Sequence, residues 1–227
     1  MATRKITFAE GEYYHICNRG VDGRNIFNDK YDVERFLQSL IEFNTIEPIG
    51  SLYENSFALK SNPKHLSLKK ARNKYPLVNL IAYCLNPNHF HILLEQVSER
   101  GVSKFMQRIG GYSWYFNKKY KRKGSLFQNK FQAKHITSNE YLQYVSAYVN
   151  LNNRVHQLGG KAAKLVRSSW KEYVENDSLH ASVCTKNIIL NQFKTSRQYE
   201  LYALDTLNLM LDKKNESADL KDLTLED

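Results

Sequence analysis

The sequence predicts an α+β fold in which an antiparallel sheet is backed by helices, because two hydrophobic periods alternate along it. Residues 13–18 mix aromatic and β-branched side chains, as strands do. Hydrophobic residues then recur at helical spacing: Val33, Phe36, Leu37, Leu40 and Ile41. Up to residue 151 the predicted order is β-α-β-β-α-β-α. The chain has 227 residues, which is enough to bury a sizeable core.

Each element is predicted from its own residues. Asp29 is placed to cap the first helix, which we expect over residues 29–44. Two β-rich runs follow at 77–83 and 89–95, and Asn86-Pro87-Asn88 interrupts them because proline cannot donate to a strand ladder. The later predictions are a helix at 103–120, a strand at 127–136, and helices at 140–151 and 188–211.

The chain divides into a domain at residues 1–175 and a helical C-terminal extension with an acidic tail at 176–227. Within the domain, residues 46–76 are rich in Pro, Gly, Ser, Asn and Lys and show no core face. We therefore predict an inserted loop there, ending in a basic run.

Charge favours an anionic partner. Lys and Arg outnumber Asp and Glu by 33 to 23, which gives a formal net charge of +10. Nucleic acid is the partner class that such a balance favours, and solubility alone is the alternative. No run approaches the ~18 apolar residues of a membrane span, so we expect a cytoplasmic protein without a membrane partner.

The cysteines indicate no metal or disulfide framework. Cys17, Cys84 and Cys184 are far apart, odd in number and lack a CxxC pairing. We expect all three to be reduced thiols.

Two histidines stand one residue apart in the stretch "NPNHFHILLE". Because side chains alternate on a strand, His89 and His91 face one side while Phe90 enters the core on the other. Two neutral imidazoles at that separation can hold a divalent metal, but a third ligand has to come from elsewhere. The alternative is a pair of ordinary surface or core histidines.

One face of the late helix offers that third ligand. Tyr141, Tyr144, Tyr148 and Asn152 recur at i, i+3 and i+4 spacing and so share a face. Tyr141 and Tyr144 fit an aromatic core face. Asn152 is polar and is harder to explain as core.

Five motifs in one order carry a resemblance to a known family. They are "YYHICNRGVDGRNIF", "YCLNPNHFHILLE", "GSLFQNKFQAKHI", "YLQYVSAYVNLNN" and "SSWKEY". In these motifs the chain resembles the single-tyrosine transposases of the HUH superfamily, which is named for a His-hydrophobic-His motif, and most closely the REP-associated tyrosine transposases. The resemblance covers about residues 13–173.

The resemblance implies a ferredoxin-like sheet and a specific site. His89 and His91 would bind a catalytic Mg²⁺ or Mn²⁺, Tyr148 would be the nucleophile, and Asn152 would complete the metal site. The implied reaction is cleavage and strand transfer of single-stranded DNA at hairpin-forming ends, and family members often act as homodimers. Two departures stand out: Asn153 replaces the family's usual proline, and the 46–76 insertion is longer than usual.

The chemistry explains why these groups belong together. A metal neutralises the charge with which a phosphodiester repels a nucleophile, and it orients phosphorus for in-line attack. A tyrosine hydroxyl is a weak nucleophile at neutral pH, but it forms a covalent link that conserves the bond energy for rejoining. The sequence identifies no general base; Lys134 and His135 are candidates only because they precede the helix.

Cations near aromatic residues are candidates for DNA contact, because they neutralise phosphates while aromatic faces stack on unpaired bases. Arg19 and Arg24 are included by analogy with the family's "RG" stretch, and an exposed loop is the alternative. The predicted DNA-binding residues are Arg19, Arg24, Lys118, Lys119, Lys121, Arg122, Lys123, Lys130 and Lys134. For the basic segment itself, a solvated turn is the alternative.

Two rival functions remain at this stage. One is a domesticated relative that binds structured single-stranded DNA or RNA without cutting it. The other is a replication or mobilisation initiator, which a second catalytic tyrosine would favour, and Tyr144 is the one available partner.

Overall fold

Five antiparallel strands form one sheet in the computed structural model, which describes residues 6–49, 75–175 and 183–216. They are β1 (Tyr13–Arg19), β2 (Val78–Asn86), β3 (His89–Gln96), β4 (Gln132–Ile136) and β5 (Arg167–Ser168), in the order β4-β1-β3-β2-β5. Strands β1–β4 have the 4-1-3-2 order and β-α-β-β-α-β connectivity of the ferredoxin-like fold. This confirms the predicted fold class.

Helices cover both faces of the sheet. Their bounds are α1 (Lys30–Glu42), α2 (Gly101–Gly110), α3 (Tyr112–Lys119), α4 (Asn139–Asn150), α5 (Asn152–Val155), α6 (Gly160–Leu165), α7 (Trp170–Val174), α8 (Asn187–Leu190) and α9 (Ser196–Glu216). One hydrophobic cluster joins α1, α2 and α3 to the sheet, and a second joins α4, α7, α8 and α9 to it. We call these the α1 side and the α4 side.

Helix starts follow the local sequence. Asp29 caps α1 in a reciprocal capping box with Asp32. At α4 the cap is Ser138 rather than Asn139, since the Ser138 hydroxyl accepts a hydrogen bond from the Tyr141 amide at 3.2 Å.

Two predicted elements are interrupted. The helix predicted at 103–120 is divided at Gly111, where the backbone makes a tighter i−3 hydrogen bond to Arg108. The strand predicted at 127–136 begins only at Gln132, because Phe127 makes a single isolated bridge to Gly20. Neither break has a strong signal in hydrophobic periodicity.

A tight turn places the two histidines at the start of β3. Asn86 pairs with His89 in the β2–β3 ladder, so Pro87 and Asn88 alone make the turn. The Pro87 carbonyl accepts hydrogen bonds from the amides of Ile26 and Phe27, at 2.8 and 2.9 Å. The turn is therefore anchored to the loop that leads into α1.

The C-terminal helix completes the core on the α4 side. Tyr199, Ala203 and Met210 of α9 are buried in the same cluster as α4 and α7. The boundary predicted at residue 175 borders residues 176–182, which lie outside the described part. The acidic tail at 217–227 and residues 50–74 of the predicted loop also lie outside it.

Candidate active site

His89 and His91 face α4, and Phe90 enters the core on the α1 side. The two imidazole centroids lie 5.2 Å apart with nearly perpendicular planes. Phe90 is 1% exposed and packs on Phe36 of α1 at 5.1 Å. Because side chains alternate along a strand, the two histidines lie on one face of β3 and the hydrophobic Phe90 lies on the other.

Hydrogen bonds assign the proton on His89. Its Nδ1 lies 2.7 Å from the side-chain oxygen of Asn88, and its Nε2 lies 2.8 Å from the side-chain amide nitrogen of Asn86. Asn88 Oδ1 can only accept and Asn86 Nδ2 can only donate, so the proton sits on Nδ1. Nε2 therefore presents a lone pair toward α5.

Asn152 brings a second lone pair to the same point. Its Oδ1 accepts a hydrogen bond from Asn86 Nδ2 at 2.5 Å and lies 3.2 Å from His89 Nε2. Its Nδ2 is buried and has no hydrogen-bond partner within the described residues. Asn86 Nδ2 thus donates to both acceptors, and a cation that took the place of this donor could bind both, because right-angle donors around an ion with 2.1 Å bonds lie about 3 Å apart.

His91 is oriented by a third histidine. His15 of β1 is 1% exposed, and its Nε2 lies 2.9 Å from His91 Nδ1. If His91 Nδ1 carries the proton and donates it to His15, the lone pair that a metal needs is on His91 Nε2. Within the described residues no three His, Cys, Asp or Glu side chains form a group that could hold a metal ion.

Tyr148 lies directly against the histidines. Its ring centroid is 5.5 Å from that of His91 and 5.8 Å from that of His15, in edge-to-face geometry. The side chain is 5% exposed and its hydroxyl oxygen is buried. Helix α4 therefore places the ring of Tyr148 against His91 and His15, while its hydroxyl group is buried.

An open cavity of about 220 Å³ lies beside the histidines. Its floor includes His89, His91 and His156, and Tyr148 does not line it. Most of the other lining side chains are amides or cations, and they are Asn18, Arg19, Asn88, Gln128, Asn129, Lys130 and Gln132. The cavity thus combines two of the candidate metal ligands, His89 and His91, with groups that bind phosphates and base edges.

The nearby thiol of Cys84 favours its neutral form. Burial raises the pKa of Cys84, which pairs with His91 across β2 and β3, to about 12. All three cysteines are buried, and none of them forms a disulfide.

The structure brings some predicted DNA-binding residues to the cavity. Arg19 and Lys130 line it directly. Lys134 lies on the α4 side, with its ammonium 5.5 Å from the ring centroid of Tyr141. Arg24 is instead engaged by Asp22 at 3.0 Å in the loop after β1.

The basic segment lies mainly in the other layer. Helix α3 packs on the α1 side, and Lys119 at its end contacts Asp29 at 2.8 Å and the fully buried Asp32 at 2.6 Å. Burial opposes the charge of Asp29, but hydrogen bonds from Lys119 and the Asp32 backbone lower its pKa. Lys118 and Arg122 lie over aromatic rings, and Lys121 and Lys123 are exposed. The charge of Lys119 is therefore compensated within the protein.

His135 does not face Tyr148. It pairs with Tyr14 across the sheet, stacks on that ring at 5.2 Å, and contacts Glu12 at 2.6 Å. Because Tyr14 belongs to the core on the α1 side, His135 lies on the wrong face to act as general base for α4.

Sequence reasoning missed three side chains around the histidines. His15 had a signal in the alternation of β1, which puts it on the same face as Cys17. Asn86 lies within the quoted motif, yet only the β2–β3 pairing gives it its contacts. His156, one helical turn after Asn152, has its ring 5.0 Å from that of His89.

Comparison with known proteins agrees with the motifs. The family described as "Transposase IS200 like" matches residues 59–153, which contain both histidines, Tyr148 and Asn152. A solved structure of a REP-associated tyrosine transposase bound to a REP hairpin is similar, with 13% identity, 83% of this chain and 93% of that chain covered, and a TM-score of 0.48. The curated proteins include no match.

Within the described residues no helix is long and apolar enough to cross a membrane.

The family match confirms the resemblance that the five motifs indicated. Residues 59–153 are therefore similar to the IS200-like transposase family.

Proposed function

We propose that this protein cuts and rejoins single-stranded DNA at hairpin-forming ends, with Tyr148 as nucleophile and a divalent metal at His89, His91 and Asn152. The proposal rests on the observation that these groups lie close together. The Tyr148 ring packs on His91, while His89 Nε2 and Asn152 Oδ1 face each other at 3.2 Å beside an open cavity.

The donor set suits the chemistry. His89, His91 and Asn152 are all neutral ligands, so a bound Mg²⁺ or Mn²⁺ keeps its full charge for neutralising a non-bridging phosphate oxygen. Asn88 accepts from Nδ1 of His89, which leaves the lone pair on Nε2, and His15 would do the same for His91 by accepting from its Nδ1. Asn86 holds the amide oxygen of Asn152 in place.

The chemical step exchanges one phosphate ester for another. The hydroxyl of Tyr148 loses its proton and its oxygen attacks phosphorus, which breaks the bond to the 3′ oxygen of the preceding nucleotide. The products are a 5′-phosphotyrosine and a free 3′-OH, which takes up a proton. Attack by a 3′-OH on the phosphotyrosine reverses the step and joins a different strand, so no external energy source is needed.

The cavity fits one unpaired strand. Arg19 and Lys130 can neutralise its phosphates, and the amides of Gln128 and Gln132 can bind base edges. Because Tyr148 does not line the cavity, its phenol has to rotate or α4 has to shift before attack.

Covalent capture tests the proposal. Wild-type protein, Tyr148→Phe and Tyr144→Phe are incubated with a labelled hairpin oligonucleotide carrying single-stranded flanks, with Mn²⁺ or with EDTA. We expect a denaturation-resistant adduct with wild type and Tyr144→Phe in Mn²⁺ only. Mass spectrometry of the linked peptide should place the DNA on Tyr148. An adduct on Tyr144 would overturn the assignment of the nucleophile.

A second candidate is a protein that binds the same DNA without cutting it. The buried hydroxyl of Tyr148 favours this function. Binding of the hairpin by wild type and Tyr148→Phe with equal affinity, and no adduct from either, would replace the proposed reaction with this one. The initiator alternative has less support, because Tyr144 stacks on Tyr141 rather than on the histidines.

A further inference from the structure

A second pocket, distinct from the histidine cavity, lies at the β5 edge of the sheet. It has a volume of about 210 Å³ and lies between α5 on one side and β5 with the start of α7 on the other. Its charged lining residues are all cations: Arg154, Arg167 and Lys171. We call it the edge pocket.

The sequence around the edge pocket is uniformly cationic. Residues 151–171 contain Arg154, Lys161, Lys164, Arg167 and Lys171 but no Asp or Glu. The basic segment at 118–123 differs, because Asp29 and Asp32 compensate Lys119 there. A surface whose cations lack acidic partners attracts an anion.

Acidic side chains compensate little of the charge of the edge-pocket cations. Within the described residues Arg154 and Arg167 form no ion pair. Lys171 approaches Glu175 at 3.6 Å, and both side chains are more than half exposed, so this pair compensates little charge.

An aromatic ring holds Arg154 in place. The guanidinium carbon lies 5.5 Å from the ring centroid of Trp170, which is a cation–π distance. Trp170 in turn lies 6.4 Å from the ring of Tyr199 in the core. A guanidinium held against an aromatic face loses little entropy when its N–H groups bind a phosphate.

The edge pocket is next to the candidate active site. In the sheet, His91 pairs with Cys84, and Cys84 pairs with Ser168 of β5. Two strand spacings of about 4.8 Å therefore separate the His91 and Ser168 backbones. On the helical side, Arg154 follows the candidate ligand Asn152 by two residues.

We propose that the edge pocket binds the sugar-phosphate backbone of single-stranded DNA that continues from the strand held at the histidines. The choice of DNA as the anion rests on the proposed function. Arg154 and Arg167 contact phosphates from opposite sides of the pocket, and Lys171 adds charge at its rim. The pocket is a backbone contact, so it does not select a base sequence.

Salt-dependent binding tests this proposal. Affinities for a fluorescent 12-nucleotide single strand are measured by anisotropy from 50 to 300 mM salt, in a Tyr148→Phe background that prevents cleavage. Each lost phosphate contact on a single strand lowers the slope of log K against log salt by about 0.7. At 0.1 M salt this corresponds to about fivefold weaker binding for Arg154→Gln or Arg167→Gln, and about 25-fold for the double variant.

A matched control removes equal charge elsewhere. Lys104 and Lys194 are exposed and lie outside both pockets, so Lys104→Gln/Lys194→Gln has the same net charge as the double variant of the edge pocket. We expect the control to keep the parent slope within 0.3. Equal losses for the two double variants would overturn the proposal, because net charge alone would then explain them.

Trp170 provides a separate readout. Trp170→Leu removes no charge but frees Arg154, so it should weaken binding of the parent protein and have little effect in the Arg154→Gln background. If Trp170→Leu weakened DNA binding equally in the parent protein and in the Arg154→Gln variant, Trp170 would not act through Arg154.

The two proposals can fail independently. Adduct formation by wild type together with parent-like binding by Arg154→Gln/Arg167→Gln would reject the edge pocket and leave the cleavage reaction standing. Absence of an adduct from wild type, together with the salt slopes expected for the edge-pocket variants, would reject the cleavage reaction and support DNA binding at the edge pocket. A loss seen with a duplex of the same sequence but not with the single strand would reject the proposed occupant.

Discussion

The imidazole of His15 on β1 lies 2.9 Å from that of His91 on β3, nitrogen to nitrogen, with the two rings nearly parallel. His15 is 76 residues away in sequence and lies in the motif "YYHICNRGVDGRNIF". The contact holds the ring of His91, so a buried residue on the neighbouring strand orients a candidate metal ligand.

His15→Leu should weaken metal binding without removing a ligand. Loss of the partner that orients a metal-bound histidine typically costs 10–100-fold in affinity. The measurement is Mn²⁺ binding followed by the loss of the free-ion electron paramagnetic resonance signal. His135→Leu, on the α1 side, serves as the matched control and should bind as wild type does. Equal affinities for His15→Leu and wild type would contradict the orienting role.

Replacement of Asn152 should change metal affinity in both directions. Asn152→Asp keeps the shape and adds a negative charge beside His89, so it should bind Mn²⁺ more tightly than wild type. Asn152→Leu removes the oxygen donor and should bind roughly tenfold more weakly or worse. Thermal shift in the presence and absence of Mn²⁺ gives both results. An unchanged shift for both variants would mean that Asn152 is not a ligand.

A buried polar network holds α4 against the C-terminal helix. The Ser169 hydroxyl donates to Asn150 Oδ1 at 2.5 Å, and Asn150 Nδ2 donates to the Tyr199 hydroxyl at 2.8 Å. Asn150 is two residues from Tyr148. Ser169→Ala leaves a buried acceptor without its donor and should lower the free energy of unfolding by about 1–3 kcal/mol.

Ser168→Ala is the control for the network, because Ser168 is half-buried and makes only a long 3.4 Å contact with the Trp170 amide. Urea unfolding compares the two variants. If Ser168→Ala lowered the free energy of unfolding by more than about 1 kcal/mol, the effect of Ser169→Ala could not be assigned to the polar network, because any change at the β5 edge would then be destabilising. We also expect Ser169→Ala to slow adduct formation, since α4 carries the nucleophile.

The Lys119 cluster should make stability sensitive to acid. The pKa of Asp29 is lowered because hydrogen bonds from Lys119 and the Asp32 backbone outweigh its burial. A lowered pKa in the folded state adds stability above the unfolded-state value near 3.9, and this stability is lost as pH falls through the folded-state value. Lys119→Met should therefore lower stability at pH 7 and flatten its decrease as pH falls below about 4.

Guanidinium unfolding at a series of pH values measures this effect. Lys118→Met is the control, since Lys118 lies over the exposed Trp114 ring rather than between carboxylates. The same pH slope for Lys119→Met and wild type would show that the contacts of Lys119 with Asp29 and Asp32 contribute nothing measurable.

Local patterns predicted the parts that depend on neighbours in sequence. Alternation predicted that Phe90 points away from His89 and His91, and the capping signal at Asp29 predicted the start of α1. The same reasoning missed the two-residue strand β5, because a run that short has no period. It also did not predict the contacts of Lys119 with Asp29 and Asp32, since these carboxylates lie about 90 residues away in sequence.

The sequence by itself determined the fold class, the face on which the histidines lie, and the resemblance to a transposase family, since hydrophobic period and contiguous motifs carry these. Only the tertiary structure decided that His15 contacts His91, that Asn86 contacts His89 and Asn152, and which cations lie beside acidic side chains. Those properties depend on hydrogen bonds and ion pairs between strands and helices far apart in the chain. Such contacts form only when the sheet has assembled, so no local pattern of residues encodes them.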